Sequence, residues 1–321
     1  LSLTVFKKKY KILDGSFKEL IKRIGDGSII KRFDKTPYPE KPQDIVCPHF
    51  LELKWATGCP FNCAWCYLQG TLRFPPRYKK PYVKNYDKIE KHIKALLNSD
   101  GEGGLLNSGE LADSLMHEDN DNPFSTFITS LLKGQDKYKI LFVTKSTDIN
   151  NLLKIEAQDR VIISYSLNSF KVAKIWERGA PPVIDRIKAI RKLYKAGYEI
   201  RVRIDPIVPI GSWIMYYRDL IDCILEVFIP SRITLGTLRG LRSTINMAKK
   251  NRNASWIKFL SEKTNFGMRI SEHLRELIYS SLIEYLRDSH YEGDIGMCKE
   301  TLDIWNKLGM DYKEIRCNCI L

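Results

Sequence analysis

Between residues 48 and 240, short apolar runs alternate with amphipathic stretches of helical length, and this alternation restricts the chain to a parallel β/α architecture. The strand-sized runs are FLELKWA (50–56), GGLLNSGEL with its turn (103–111), KILFVTKS (139–146), RVIISYSLN (160–168), YEIRVRIDPIVP (198–209) and SRITLGTL (231–238). Helices are expected near 85–98, over NPFSTFITSLLK, over 181–197 and near 215–228. The third of these opens on prolines and closes on Gly197, as helix-end chemistry favours. With 44% hydrophobic residues in 321, the chain can bury a sizeable core. The organisation expected is an N-terminal segment (1–47), a β/α core (48–240) and a C-terminal extension (241–321). That extension holds a strongly amphipathic helix at 271–288 and a basic, poorly patterned stretch before it.

The first strand leads directly into GCPFNCAWCYLQ, where Cys59, Cys63 and Cys66 stand at the spacing C-x3-C-x2-C, with Trp65 before the last. Soft thiolates bind iron well, and a short loop can wrap three corners of a [4Fe-4S] cubane. No fourth cysteine follows in the loop, so one iron is left free for something other than protein. Zinc is the alternative, although its usual ligands come as two separated pairs, and no second pair lies within range. Disulfides are disfavoured by 8 cysteines in 321 residues and an N-terminal LSLTVFKKKYK with too short an apolar stretch for a leader. A cytoplasmic protein without a membrane span is expected, in a reducing compartment that suits such a cluster.

The triplet, with its preceding aromatic, resembles the radical SAM superfamily. In that superfamily the free iron chelates S-adenosylmethionine, and reduction of the cluster yields a 5′-deoxyadenosyl radical that abstracts hydrogen. The resemblance implies an α/β fold, a partial (β/α)6 TIM-like barrel with a helical C-terminal extension. It also implies an external electron donor of the flavodoxin or ferredoxin type. In parallel α/β architectures active sites gather at the C-terminal ends of the strands, where the cysteine loop falls.

Further segments are similar to the branch containing spore photoproduct lyase: Cys66-Tyr67-Leu68-Gln69 with Thr71-Leu72, Val143-Thr144-Lys145, Ser166-Leu167-Asn168, and Lys195-Ala196-Gly197-Tyr198 leading to Asp205-Pro206-Ile207. Carried over by position, Lys145, Ser166 and Asn168 would contact S-adenosylmethionine, the lysine at its carboxylate and the others at ribose hydroxyls. Glu110, in Ser108-Gly109-Glu110, would receive the methionine amino group. Tyr67 and Ser108 are the catalytic candidates. In that branch a cysteine after the second strand returns a hydrogen atom to the product radical. This chain has no cysteine between Cys66 and Cys223, and Ser108, a poor hydrogen-atom donor, lies near that place.

The formal net charge of +14, from 52 Lys and Arg against 38 Asp and Glu, favours a polyanion partner. RFPPRYKKPYVKNY (73–86) interleaves cations with aromatics, a combination that neutralises phosphates and stacks on bases. Arg239, Arg242, Lys249, Lys250 and Arg252 would extend that surface. A nucleic acid or nucleotide is therefore the expected substrate. The alternatives are a peptide or protein substrate for the same chemistry, or a non-enzymatic iron–sulfur or zinc protein that binds nucleic acid. Cys298, Cys317 and Cys319, with Cys47 or His49, are candidates for a second metal or cluster, or else for buried thiols of the core.

Overall fold

A ten-stranded sheet, its strands side by side in sequence order, forms the spine of the computed structural model, which describes residues 3–72, 81–156 and 158–321. The first three strands, β1 (Val5–Lys11), β2 (Phe17–Ile24) and β3 (Ile30–Phe33), pair antiparallel and lengthen one edge of the sheet. After β3 come β4 (Phe50–Leu53), β5 (Gly104–Asn107), β6 (Tyr138–Thr144), β7 (Val161–Leu167), β8 (Glu199–Ile207) and β9 (Arg232–Thr237). These six are the strands expected from the sequence, and each is parallel to the next. A further parallel strand, β10 (Asp294–Met297), joins β9 from within the C-terminal extension. Its four residues carry too little pattern to stand out in the sequence.

Each crossover carries a helix or helical turn on the outer face, as parallel pairing requires. The main ones are α1 (Leu68–Thr71), α2 (Tyr86–Leu97), α3 (Phe124–Leu132), α4 (Phe170–Trp176), α5 (Val183–Lys195) and α6 (Trp213–Val227). The extension adds α7 (Arg242–Lys250), α8 (Glu272–Asp288) and α9 (Leu302–Lys307). Helix α5 stops as its sequence suggests. Gly197 takes φ +90°, and the Tyr198 amide returns to the Leu193 carbonyl at 3.2 Å, a Schellman closure.

The two faces of the sheet differ in chemistry. All of β7 is buried, yet Val161, Ile163, Tyr165 and Leu167 join the large apolar core under the helices. On the inner face Ile162 forms only a small apolar cluster with Leu105, Leu141 and Val143. Above that cluster the inner face is polar: Ser164, Ser166, Arg201, Arg203 and Thr234 follow from strand alternation.

The C-terminal tail closes this concave face. Asn318 is fully buried, donating from Nδ2 to Ser164 Oγ at 2.8 Å and to the Val202 carbonyl at 3.0 Å, while Thr234 Oγ1 donates to its Oδ1 at 2.8 Å. Arg201 and Arg232 donate to the carbonyls of Asn318 (3.1 Å) and Cys317 (2.8 Å). Cys319 Sγ lies 3.8 Å from Asn107 Nδ2 on β5 and 3.1 Å from Arg203 Nη2 on β8. In a flat sheet those strands would be about 14 Å apart, at ~4.8 Å per strand. One sulfur thus bridges the two strands across the concave inner face of an open barrel. Among the described residues no helix is long and apolar enough to cross a membrane.

Candidate active site

The cysteine loop hangs from the C-terminal end of β4. Its middle is fixed by a two-residue strand, Asn62–Cys63, paired antiparallel with Glu177–Arg178, and by the Ala64 amide donating to the Trp176 carbonyl at 2.8 Å. Trp65 packs 5.9 Å from Trp176, and Gln69 Nε2 caps the Cys63 carbonyl at 2.6 Å. Helix α1 then seats on α7 so tightly that a Cβ on Gly70 would fall 2.5 Å from the Thr244 nitrogen. The aromatic of the motif and the residues after it thus build the loop's support.

All three loop thiols are free, Cys63 buried and its neighbours partly open. Burial raises each above the ordinary thiol range, Cys63 to about 12, while the Lys145 cation opposes the rise at Cys63 and Cys66. Among the described residues no three His, Cys, Asp or Glu side chains converge as a single metal ion requires. A cubane takes each thiolate at a different iron, so separated thiols on one loop fit a cluster better than zinc. The donor set, three sulfurs without a fourth in the loop, is that of a cluster with one open iron.

Lys145, just past β6, is the cation that faces this loop. Its Nζ lies 3.7 Å from Glu177 Oε1, and its backbone amide donates to Asp113 at 2.8 Å. Burial works against the ammonium, but Glu177 and Cys63 more than offset it, and the Lys145 pKa is raised. Behind it Arg186 Nη1 meets Glu177 Oε2 at 2.6 Å, with both side chains 1% exposed. Arg186 also donates to the Ser166 carbonyl at 3.0 Å and the Pro181 carbonyl at 2.8 Å. Glu177 Oε1 is buried without a hydrogen-bond donor. The site therefore holds a buried cation–anion–cation line pointing at the loop.

Ser166 is buried on the inner face of β7. Glu110 is half-buried, its Oε1 accepting from Asn107 Nδ2 at 3.2 Å, and the Tyr67 hydroxyl donates to its backbone carbonyl. Two other candidates have saturated hydrogen bonds. Asn168 is fully buried, donating to the Pro206 carbonyl at 2.8 Å and accepting at Oδ1 from Tyr217 (2.8 Å) and the Ser169 amide (2.9 Å). Ser108 is 2% exposed, and its hydroxyl bridges Ser114 and the Leu141 carbonyl, both at 2.8 Å.

Cys298 and Cys319 each face an arginine. Arg239 Nη2 lies 3.3 Å from Cys298 and also pairs with Asp205 at 2.9 Å, while Arg203 takes Cys319. Hydrogen bonding to Cys317 and burial hold the Cys319 thiol well above its ordinary range, whereas Cys317 is lowered by the same contact. His49 is committed to the Thr36 carbonyl at 2.8 Å.

Of the cationic–aromatic segment 73–86, Arg73, Phe74, Arg77, Tyr78, Lys79 and Lys80 lie outside the described residues. Tyr82 is exposed, whereas Tyr86 stacks on Phe127 at 4.1 Å. Arg242, Lys249, Lys250 and Arg252 are exposed on and after α7. Lys84 donates to the Ser28 carbonyl at 2.5 Å, and burial pushes its pKa from 10.5 to about 8. Between those values the unfolded chain binds a proton that the folded chain does not, so stability rises with pH across that window. Lys84→Met is expected to flatten this rise, measured as the urea midpoint between pH 8 and pH 10.5.

A family model described as spore photoproduct lyase matches residues 50–237, more than half of the chain. The chain belongs to the spore photoproduct lyase family. Its strands β4 to β9 and the cysteine loop all fall within the matched region, which places it in the corresponding branch of the radical SAM superfamily. Spore photoproduct lyase of Bacillus subtilis (strain 168) is 29% identical over 201 residues, covering 56% of this chain and 52% of that protein. The enzyme of Geobacillus sp. (strain Y412MC61) is 27% identical over 165 residues, covering 51% and 48%. This family member spans about half the length of the curated relatives it matches. A solved spore photoproduct lyase complexed with dinucleoside spore photoproduct shares the fold, with TM-score 0.65, 19% identity and coverage of 82% of this chain and 79% of that one. A variant of that enzyme solved with bound AdoMet and the same dinucleoside covers 76% and 75%, also at TM-score 0.65 and with 20% identity.

Glu177, Arg186, Asp113 and Arg203 were not among the residues marked by the sequence. Glu177 and Arg186 belong to KIWERGAPPVIDR, which shows only a helix end and a helix start. Their pairing depends on the small strand contact with the cysteine loop, which has no periodic signal.

Proposed function

We propose that this family member is a radical SAM lyase acting on a nucleic-acid or nucleotide lesion, with a spore photoproduct as its substrate class. The observation that carries the reading is the open set of three loop thiols beside Lys145, which is itself braced by Glu177 and Arg186. Cys59, Cys63 and Cys66 would hold a [4Fe-4S] cluster. When bound, cluster and S-adenosylmethionine together supply one-electron cleavage of a sulfonium and hydrogen-atom abstraction from carbon.

The chain's own residues bind and orient. Lys145 pairs with the methionine carboxylate, Glu110 receives the amino group, and Ser166 serves the ribose from the inner face of β7. Asn168, saturated by Tyr217 and Pro206, acts from behind by fixing the end of β7. Ser108 in the same way ties the end of β5 to β6. Tyr67, between the last loop cysteine and Glu110, borders the reacting groups. Exposed cations on α7 and the segment 73–86 attract the phosphate backbone, and a flavodoxin- or ferredoxin-type donor supplies electrons.

Anaerobic reconstitution tests the reading. About four irons per chain, and formation of 5′-deoxyadenosine with dithionite and S-adenosylmethionine, are expected, together with thymidine formation from dinucleoside spore photoproduct. Absence of 5′-deoxyadenosine sinks the enzyme reading. Oligonucleotide affinity that does not fall with added salt turns the substrate toward a peptide.

A further inference from the structure

We propose that Cys319, delivered into the barrel by the C-terminal tail, is the hydrogen-atom donor that quenches the product radical. The inference rests on the radical reading above. It begins from a chemical requirement: once hydrogen has been removed from a substrate carbon and a bond has broken, the product fragment carries an unpaired electron. A thiol is the side chain best suited to close it, because its S–H bond is weaker than a C–H bond.

Of the eight cysteines, three form the cluster loop, and Cys223 lies on the outer helix α6. Cys319 is joined to the cluster loop by a line of contacts among the described residues. Tyr67 follows Cys66, and its hydroxyl donates to the Glu110 carbonyl. Glu110 accepts from Asn107 Nδ2 at 3.2 Å, and the same nitrogen faces Cys319 Sγ at 3.8 Å. On the other side Arg203 Nη2 meets the sulfur at 3.1 Å, while Arg203 Nε is buried with no partner. An unpartnered guanidinium N–H inside the barrel is a waiting donor for an acceptor on a bound ligand. The Cys319 thiol is partly exposed.

In the step, the Cys319 S–H bond breaks and a C–H bond forms on the product carbon, leaving the unpaired electron on sulfur. One electron from the flavodoxin- or ferredoxin-type donor and one proton from solvent restore the thiol. The second strand's loop carries no cysteine, and the tail brings one to the end of that strand from across the barrel.

Reconstituted full chain is assayed in D2O with S-adenosylmethionine, dithionite and dinucleoside spore photoproduct. The wild-type chain and Cys223→Ala are expected to form thymidine carrying one deuterium. Cys319→Ala and Cys319→Ser are expected to form 5′-deoxyadenosine at the wild-type initial rate, with deuterated thymidine reduced at least ~10-fold and aberrant adducts in its place. Serine keeps the size and polarity of the site but has too strong an O–H bond to donate. Unchanged deuterated thymidine from both Cys319 variants overturns the inference alone; no 5′-deoxyadenosine from the wild type overturns the radical reading and the inference with it. Without cluster or cofactor, maleimide labelling followed by peptide mass mapping gives an independent readout. The dinucleoside should protect Cys319 and leave Cys223 unprotected, and equal labelling of Cys319 with and without it counts against the placement.

Discussion

Single replacement of Cys59, Cys63 or Cys66 by Ala is expected to take 5′-deoxyadenosine formation to background and to remove most of the reconstituted iron. The expectation follows from ligand count. A cubane already lacking a protein ligand at one iron has two left after the substitution, and the loop sequence GCPFNCAWCYLQ itself carries no His, Asp or Glu to replace the third. The change is local, because the loop is held by backbone pairing with Glu177–Arg178 and by Gln69 on the Cys63 carbonyl, contacts that no thiol makes. Circular dichroism and the urea midpoint of the metal-free chain should therefore stay close to wild type. Turnover that persists in any one variant removes the cluster assignment.

The second large effect is on stability. Arg186→Met leaves Glu177 buried with only Lys145 beside it, at 3.7 Å, and strips the donors from the Ser166 and Pro181 carbonyls. Breaking a buried, hydrogen-bonded ion pair from one side costs about 3–5 kcal/mol. That is a large fraction of a typical folding free energy of about 5–15 kcal/mol. The double variant Glu177→Gln with Arg186→Met, which removes both charges, should recover much of the loss. Urea denaturation of the metal-free chain measures both. A single variant as stable as wild type would mean that the pair is not buried together. The same cycle bears on the site, since Glu177 sets the charge balance around Lys145.

How much of this was legible in the residues depends on how local the signal is. The six strands of the core could be read because each is a strand-length apolar run bounded by polar or glycine-containing turns, and α5 announced its end through Gly197. The cysteine loop was legible because its three thiols sit within eight residues. The strand β10 was not, since only Ile295 and Met297 carry its pattern. Glu177 and Arg186 escaped because their meaning arises from contact with Cys63 and Lys145, far away in the chain. The C-terminal cysteines were seen as a group but not as what the fold makes of them. Spacing alone suggested a shared metal or buried thiols, and the fold adds that Cys319 lies against Arg203 and Cys298 against Arg239.

The tail across the concave face has a consequence for how this chamber can change. Its floor is secured by amide and guanidinium hydrogen bonds between groups as far apart as residues 164 and 318, and Ile315 and Cys317 of the same tail also join the large apolar core. A tail that is both bonded and packed opens only with the sheet it covers, as part of one cooperative unit. Substitutions in this one short segment are thus expected to change the space at the inner face and the stability of the barrel together.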